Sequence, residues 1–180
     1  KRSVGLMIAG ASGFCTGTLI NNTNNDGTQY FLTANHCIGG NPANWAFRFN
    51  WTSPNPQCAT FTPSQNGTFD ETASGSIEVA SNGKSDMALL EINPALPSSW
   101  DLVWAGWDRS GNFPSYNVGI HHPSGDIMKV CRNDDPLQQT TTPFNGESNM
   151  EIWLVDNWEQ GVTEPGSSGS ALFDENGRII

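Results

Sequence analysis

The apolar residues of this 180-residue chain come in short bursts, and turn chemistry stops each one. VGLMIA (4–9) runs into GASG, FCTGTLI (14–20) into NNTNNDG, and TQYFLTA (28–34) into NHCIGG. NWAFRFNW (44–51), SIEVA (76–80) and SDMALLEI (85–92) follow in the same style. Runs this short, punctuated by Asn-Gly, Asp-Gly and Gly-Gly, predict antiparallel strands closed into a barrel or sandwich. No long segment sustains the 3.6-residue period of an amphipathic helix. With 19 Gly and 11 Pro, the chain is too rich in turn residues for a helical protein.

NPALPSSW (93–100) divides the chain into two halves of similar size. We expect domains over 1–97 and 98–180, the second built on LVWAGW (102–107), YNVGIHH (116–122), IMKVC (127–131) and MEIWLV (150–155) as strands. Residues 50–75, rich in Asn, Pro, Ser, Thr and Gly, read as a long surface excursion. ALFDENGRII (171–180) reads as a strand, a turn and the start of a returning strand. A domain broken inside a hairpin leaves an unpaired edge, so we expect a longer protein.

The net charge of −10 argues against a nucleic-acid partner, which selects for a basic face. The early apolar run GLMIA is too short to cross a membrane. The four cysteines, Cys15, Cys37, Cys58 and Cys131, form no CxxC pair and no zinc-like spacing. Disulfides in an exported protein, secreted or periplasmic, are the better reading.

The segment GVTEPGSSGSALF (161–173) sets serines among glycines, which is either a plain turn or the seat of a nucleophile. A serine hydroxyl becomes a useful nucleophile only beside a base whose tautomer a third group fixes. The chain has three histidines. His36, in FLTANHC, lies just beyond an apolar run and next to a cysteine, a good way to hold an imidazole rigidly. His121 and His122, in GIHHPSGD, are adjacent on a strand and point to opposite faces, which suits turn packing. A metal site joining either of them to Asp126 lacks a third ligand at any telling spacing. Asp86 opens SDMALLEI, where a carboxylate at the mouth of an apolar strand can be partly buried against an imidazole.

TANHC, SDMALLEI and EPGSSGSALF, in that order, resemble the His, Asp and Ser motifs of the chymotrypsin-like serine proteases. CTGTLINNTNNDGTQYFLTANHC, DMALLEI, WAGWDRSGNFPS, IHHP and GVTEPGSSGS extend the likeness over nearly the whole chain, to the bacterial lysyl endopeptidases and their homologues. The resemblance implies an all-β fold of two antiparallel Greek-key barrels with the active site in the cleft between them. It implies a secreted, monomeric serine endopeptidase acting on peptide or protein substrates, with preference for cleavage after Lys. His36, Asp86 and Ser168 are then the catalytic triad, and the N–H groups of Gly166 and Ser168 the oxyanion hole. Ser167 and Ser170 flank the nucleophile without doing chemistry. Val162, Thr163 and Glu164 are placed at the substrate side chain, and the mechanism needs no metal or organic cofactor.

The resemblance also implies a Cys15–Cys37 disulfide, and a partner for Cys58 upstream of residue 1. Cys131 is left to pair with Cys58 or with a cysteine beyond residue 180. Two positions depart from the trypsin branch. Ser167 stands where trypsins have the aspartate that receives the freed N-terminus, and Val162 where they have the aspartate that selects Lys and Arg. In lysyl endopeptidases the Lys-selecting aspartate lies after the nucleophile, in a segment outside this chain. The tryptophan which that family uses near the substrate has no clear match in TTPFNGES (141–148).

Overall fold

The computed structural model describes residues 1–57, 65–144 and 146–180. Every ladder between its strands is antiparallel. The first part supplies β1 (Val4–Ala9), β2 (Ser12–Leu19), β3 (Tyr30–Ala34), β4 (Trp45–Phe49), β5 (Thr72–Ser74), β6 (Ser76–Asn82) and β7 (Met87–Ile92). They form one sheet in the order β5-β4-β1-β2-β3-β7-β6. Alternation writes its inner face. In β4, Trp45, Phe47 and Phe49 are buried while Ala46 and Arg48 between them are only half-buried. Phe31 meets Phe47 and Phe49 edge to face, with ring centroids 5.0 and 6.0 Å away. Gly17 lets β2 lie on this cluster, since a Cβ there would come within 2.2 Å of the Phe31 ring.

The second part supplies β8 (Asn117–His121), β9 (Lys129–Asn133) and β12 (Leu172–Phe173), in the order β12-β8-β9. β10 (Gln138–Phe144) and β11 (Glu147–Leu154) form a separate hairpin. Helical structure among the described residues is limited to single 3₁₀ turns, each of three residues. No helix among them is long and apolar enough to cross a membrane.

LVWAGW departs from the expected strand. It makes only isolated bridges, Ala105 with Ile20 and Trp107 with Ile179. The reason is its place between two sheets. Ala105 N–H donates to Leu19 at the end of β2, while Gly106 C=O accepts from Ile179 in the C-terminal hairpin, so no single partner strand runs alongside. Within 50–75, Thr72–Ser74 is β5, and Cys58 lies outside the described residues. The DENG turn closes with Asp174 N–H on the Arg178 carbonyl and the Arg178 guanidinium on the Asp108 and Asp174 carboxylates, at 2.7 and 2.8 Å.

Candidate active site

Strand register alone brings Asp86 to His36. β3 and β7 pair with Ala34 opposite Met87, so the next step beyond the ladder sets Asn35 against Asp86. Asn35 N–H donates to the Asp86 carbonyl at 2.9 Å, extending the ladder by one bond. The chain then turns through the 3₁₀ segment Asn35–Cys37 and presents His36. The Asp86 carboxylate takes both N–H groups of that residue: the backbone N–H at 2.8 Å and ring Nδ1 at 2.6 Å. Asp86 reaches this position with φ of +49°, a left-handed conformation that Asp tolerates better than most side chains. A proton held on Nδ1 by the carboxylate leaves Nε2 as the basic nitrogen.

A disulfide joins Cys37, the residue after His36, to Cys15 in β2. The next residue on β2, Thr16, donates its N–H to the Ser168 carbonyl at 2.8 Å. Gly169 packs so closely here that a Cβ would lie 2.1 Å from Thr33 Oγ1 and 2.8 Å from Ala34 N, two residues before His36. With φ of +80° it also occupies the left-handed region that glycine alone enters cheaply. Ser168 is therefore seated on β2 and β3 where they deliver His36.

The turn 164–168 is held on every side. Pro165 C=O accepts Ser124 N–H at 2.6 Å, and Gly166 C=O accepts the Thr16 hydroxyl at 2.8 Å. Ser167, buried, receives Glu164 N–H on its Oγ at 3.0 Å and lies 2.6 Å from His121 Nδ1. Among the described residues, the N–H groups of Gly166 and Ser168 donate to no backbone carbonyl. Val162, Thr163 and Glu164 lie exposed on the strip leading into the turn, which leaves the β9 edge through paired bonds between Gln160 and Arg132. Ser124 Oγ donates to the Glu164 carboxylate at 3.1 Å.

His121 ends β8 and His122 begins the 3₁₀ turn after it, and the two buried rings have different partners. His122 stacks on Trp51 with centroids 6.1 Å apart and donates Nδ1–H to the Asp126 carbonyl at 2.9 Å. Burial pushes its imidazole down to about 4, against the Asp126 hydrogen bond, which favours the charged form. Among the described residues Cys131 has no disulfide partner, and its burial pushes the thiol up to about 11.

A family model described as lysyl endopeptidase, C-terminal domain, matches residues 1–180. The chain belongs to the lysyl endopeptidase family. The lysyl endopeptidase of Pseudomonas aeruginosa is 30% identical over 166 residues, which is 91% of this chain. The chain spans 34% of the length of that relative. Among solved structures, the active form of the Rv3671c protease from M. tuberculosis superposes with a TM-score of 0.64 at 16% identity, covering 99% of this chain and 68% of that one. The HtrA-type protease AlgW with tripeptide gives 0.64 at 16% identity, covering 99% and 49%. The likeness in fold is to trypsin-like serine proteases, and the all-β fold expected from the sequence is the one found.

In this lysyl endopeptidase-family chain one aromatic at the site had no sequence signal. Phe144, at the end of β10, sets its ring edge to face with His36 at 5.5 Å. TTPFNGES shows an aromatic near a turn, but nothing local says that the hairpin tip folds onto the imidazole. The serine–histidine contact of Ser167 with His121 was equally invisible, joining residues 46 apart.

Proposed function

We propose that this chain carries the catalytic site of a secreted serine endopeptidase. Ser168 Oγ attacks the scissile carbonyl while His36 Nε2 takes its proton, and Asp86 steadies the imidazolium. The N–H groups of Gly166 and Ser168 receive the developing oxyanion. His36 then gives its proton to the leaving amine, and water hydrolyses the acyl-enzyme on Ser168. His36 and Asp86 come from a barrel over 1–97, Ser168 from a second over 98–180, with the substrate in the cleft between. The observation that carries this reading is the Asp86 carboxylate bound to both N–H groups of His36 at 2.8 and 2.6 Å. A merely structural aspartate has no need of ring Nδ1.

Preference for cleavage after Lys is the specificity that family membership and the Glu164 carboxylate favour. Glu164 is exposed beside Val162 and Thr163, four residues before Ser168, and its negative charge supports a role for it in binding a cationic side chain. The Cys15–Cys37 disulfide supports an oxidising, extracellular or periplasmic setting. A monomer acting on peptide or protein substrates, with no nucleic-acid partner, fits the acidic net charge of −10.

Fluorophosphonate labelling at neutral pH, followed by peptide mapping, tests the reading. Stoichiometric labelling at Ser168, abolished by His36→Ala, is the expected result. A folded, disulfide-intact protein that takes up no label is instead a protease-like binding domain.

A further inference from the structure

We propose that the buried Ser167–His121 pair is the latch that keeps the turn 164–168 in its substrate-ready form, making both residues positioning residues for the oxyanion hole. The inference rests on the serine-endopeptidase reading and adds to it the device that aims the two N–H donors.

The aiming follows from peptide geometry. In a trans peptide the N–H points opposite to the C=O of the preceding residue. Pro165 C=O is turned into Ser124 N–H at 2.6 Å, so Gly166 N–H is turned away from Ser124. Ser167 C=O is taken by Ser170 N–H at 3.0 Å, which turns Ser168 N–H away from that bend. Gly166 C=O, between the two, is fixed by the Thr16 hydroxyl at 2.8 Å, whose oxygen in turn receives His122 N–H at 3.0 Å. Gly166 itself has φ of +95°, and a Cβ there would stand 2.9 Å from both His122 O and Ser124 N. The turn thus lies directly on the 121–125 backbone.

These backbone contacts need a side chain that stops the turn from rolling over, and Ser167 is the one that faces inward. Its Oγ gathers the Glu164 N–H at the start of the turn and His121 Nδ1 from the end of β8. β8 also pairs with β12, the strand that follows the nucleophile, so His121 links the turn to the sheet on which the serine segment ends. His121 is 1% exposed, and its Nε2 has no partner among the described residues. A leucine or phenylalanine would fill that space without burying an unpaired nitrogen. The imidazole is retained at a cost, and the Nδ1 contact with Ser167 is what it supplies. Burial holds His121 below its usual pKa, against the pull of Glu164.

The test measures fluorophosphonate labelling of Ser168, and kcat and KM on a cleaved peptide, in the full natural protein and three variants. Ser167→Ala removes the hydroxyl, His121→Leu removes the ring nitrogens, and His121→Asn restores a hydrogen-bonding group near the Nδ1 position. We expect Ser167→Ala and His121→Leu to lower the labelling rate and kcat by roughly 10²-fold with KM little changed, the scale of a small misplacement of catalytic groups. His121→Asn should recover most of that loss. Should Ser167→Ala fail to fold, the two His121 variants decide, since they leave the turn sequence intact. Folded variants that label at the wild-type rate overturn the latch, as does equal loss in His121→Leu and His121→Asn. In both cases wild-type labelling at Ser168 leaves the endopeptidase reading standing. No wild-type labelling removes that reading first, and the latch with it.

Discussion

His36 and His121 each lie in a neighbourhood that also holds a serine of the 164–170 segment, yet the protein treats them in opposite ways. His36 sits on a 3₁₀ turn with its side chain 31% exposed, and a carboxylate takes its Nδ1. His121 ends a strand, is 1% exposed, and has a hydroxyl on its Nδ1. A carboxylate beside an imidazole supports the cation that proton uptake creates, whereas burial beside a neutral hydroxyl opposes it. The first arrangement suits a proton carrier and the second a fixed strut. Sequence distance from the proposed nucleophile is no guide: Ser167 is the neighbour of Ser168 in the chain and contacts His121 instead.

The comparison breaks most sharply at Asp86. Asp86→Asn keeps the shape but offers Nδ1 an amide that supports the wrong tautomer, so kcat should fall by about 10⁴-fold with folding intact. Burst kinetics on an ester substrate, with the melting temperature as control, separate the two effects. A loss matched by unfolding would make Asp86 a structural cap of the 35–37 turn.

Attachment is the next difference. The His36 loop is bound covalently to β2 through Cys37 and Cys15, while His121 is held without a covalent link, by pairing with Lys129 of β9 and by its contact with Ser167. Replacing both cysteines by alanine should cost about 3 kcal/mol, the loop-closure scale for a bridge spanning 22 residues. Urea unfolding of the oxidised protein and of the variant measures it. Because Thr16 carries the Ser168 carbonyl one residue from Cys15, activity in the folded fraction should fall as well.

What could be read in the sequence was what lies close in the chain or is set by alternation. Motif order pointed to His36, Asp86 and Ser168 as candidates, and of these the register of β3 and β7 brings Asp86 to His36. The strand runs marked most of the sheets because turn residues bound them on both sides. LVWAGW misled because an apolar run says nothing about whether one partner strand lies beside it. The Phe144–His36 and Ser167–His121 contacts depend on how a hairpin and a turn are laid over distant strands, and no local pattern encodes that.

Acid stability should report the buried imidazole of His122. His122 holds its proton only below about 4, whereas an unfolded histidine titrates near 6.5. Between those values the unfolded chain binds the extra proton, so stability is full above the window and falls as pH falls through it. His122→Gln should remove up to one proton from that dependence, a difference of roughly 2 kcal/mol between pH 7 and 4.5 once the variant's own baseline is subtracted. Chemical unfolding at the two pH values gives the slope directly. An unchanged slope would place the titrating group elsewhere.

The smallest effect should come from Phe144. Its edge-to-face contact with His36 at 5.5 Å is worth about 1 kcal/mol, so Phe144→Ala should lower kcat/KM by less than about tenfold. The direction of the split matters more than its size. Phe144 packs against a histidine whose Nδ1 is already fixed by Asp86, so its removal should leave the tautomer intact. It should also leave fluorophosphonate reactivity near wild type while KM for a longer peptide rises. A drop in kcat as large as that of Asp86→Asn would mean that the hairpin tip, and not the carboxylate, sets the imidazole's orientation. The contrast between the two histidines would then rest on packing instead of charge.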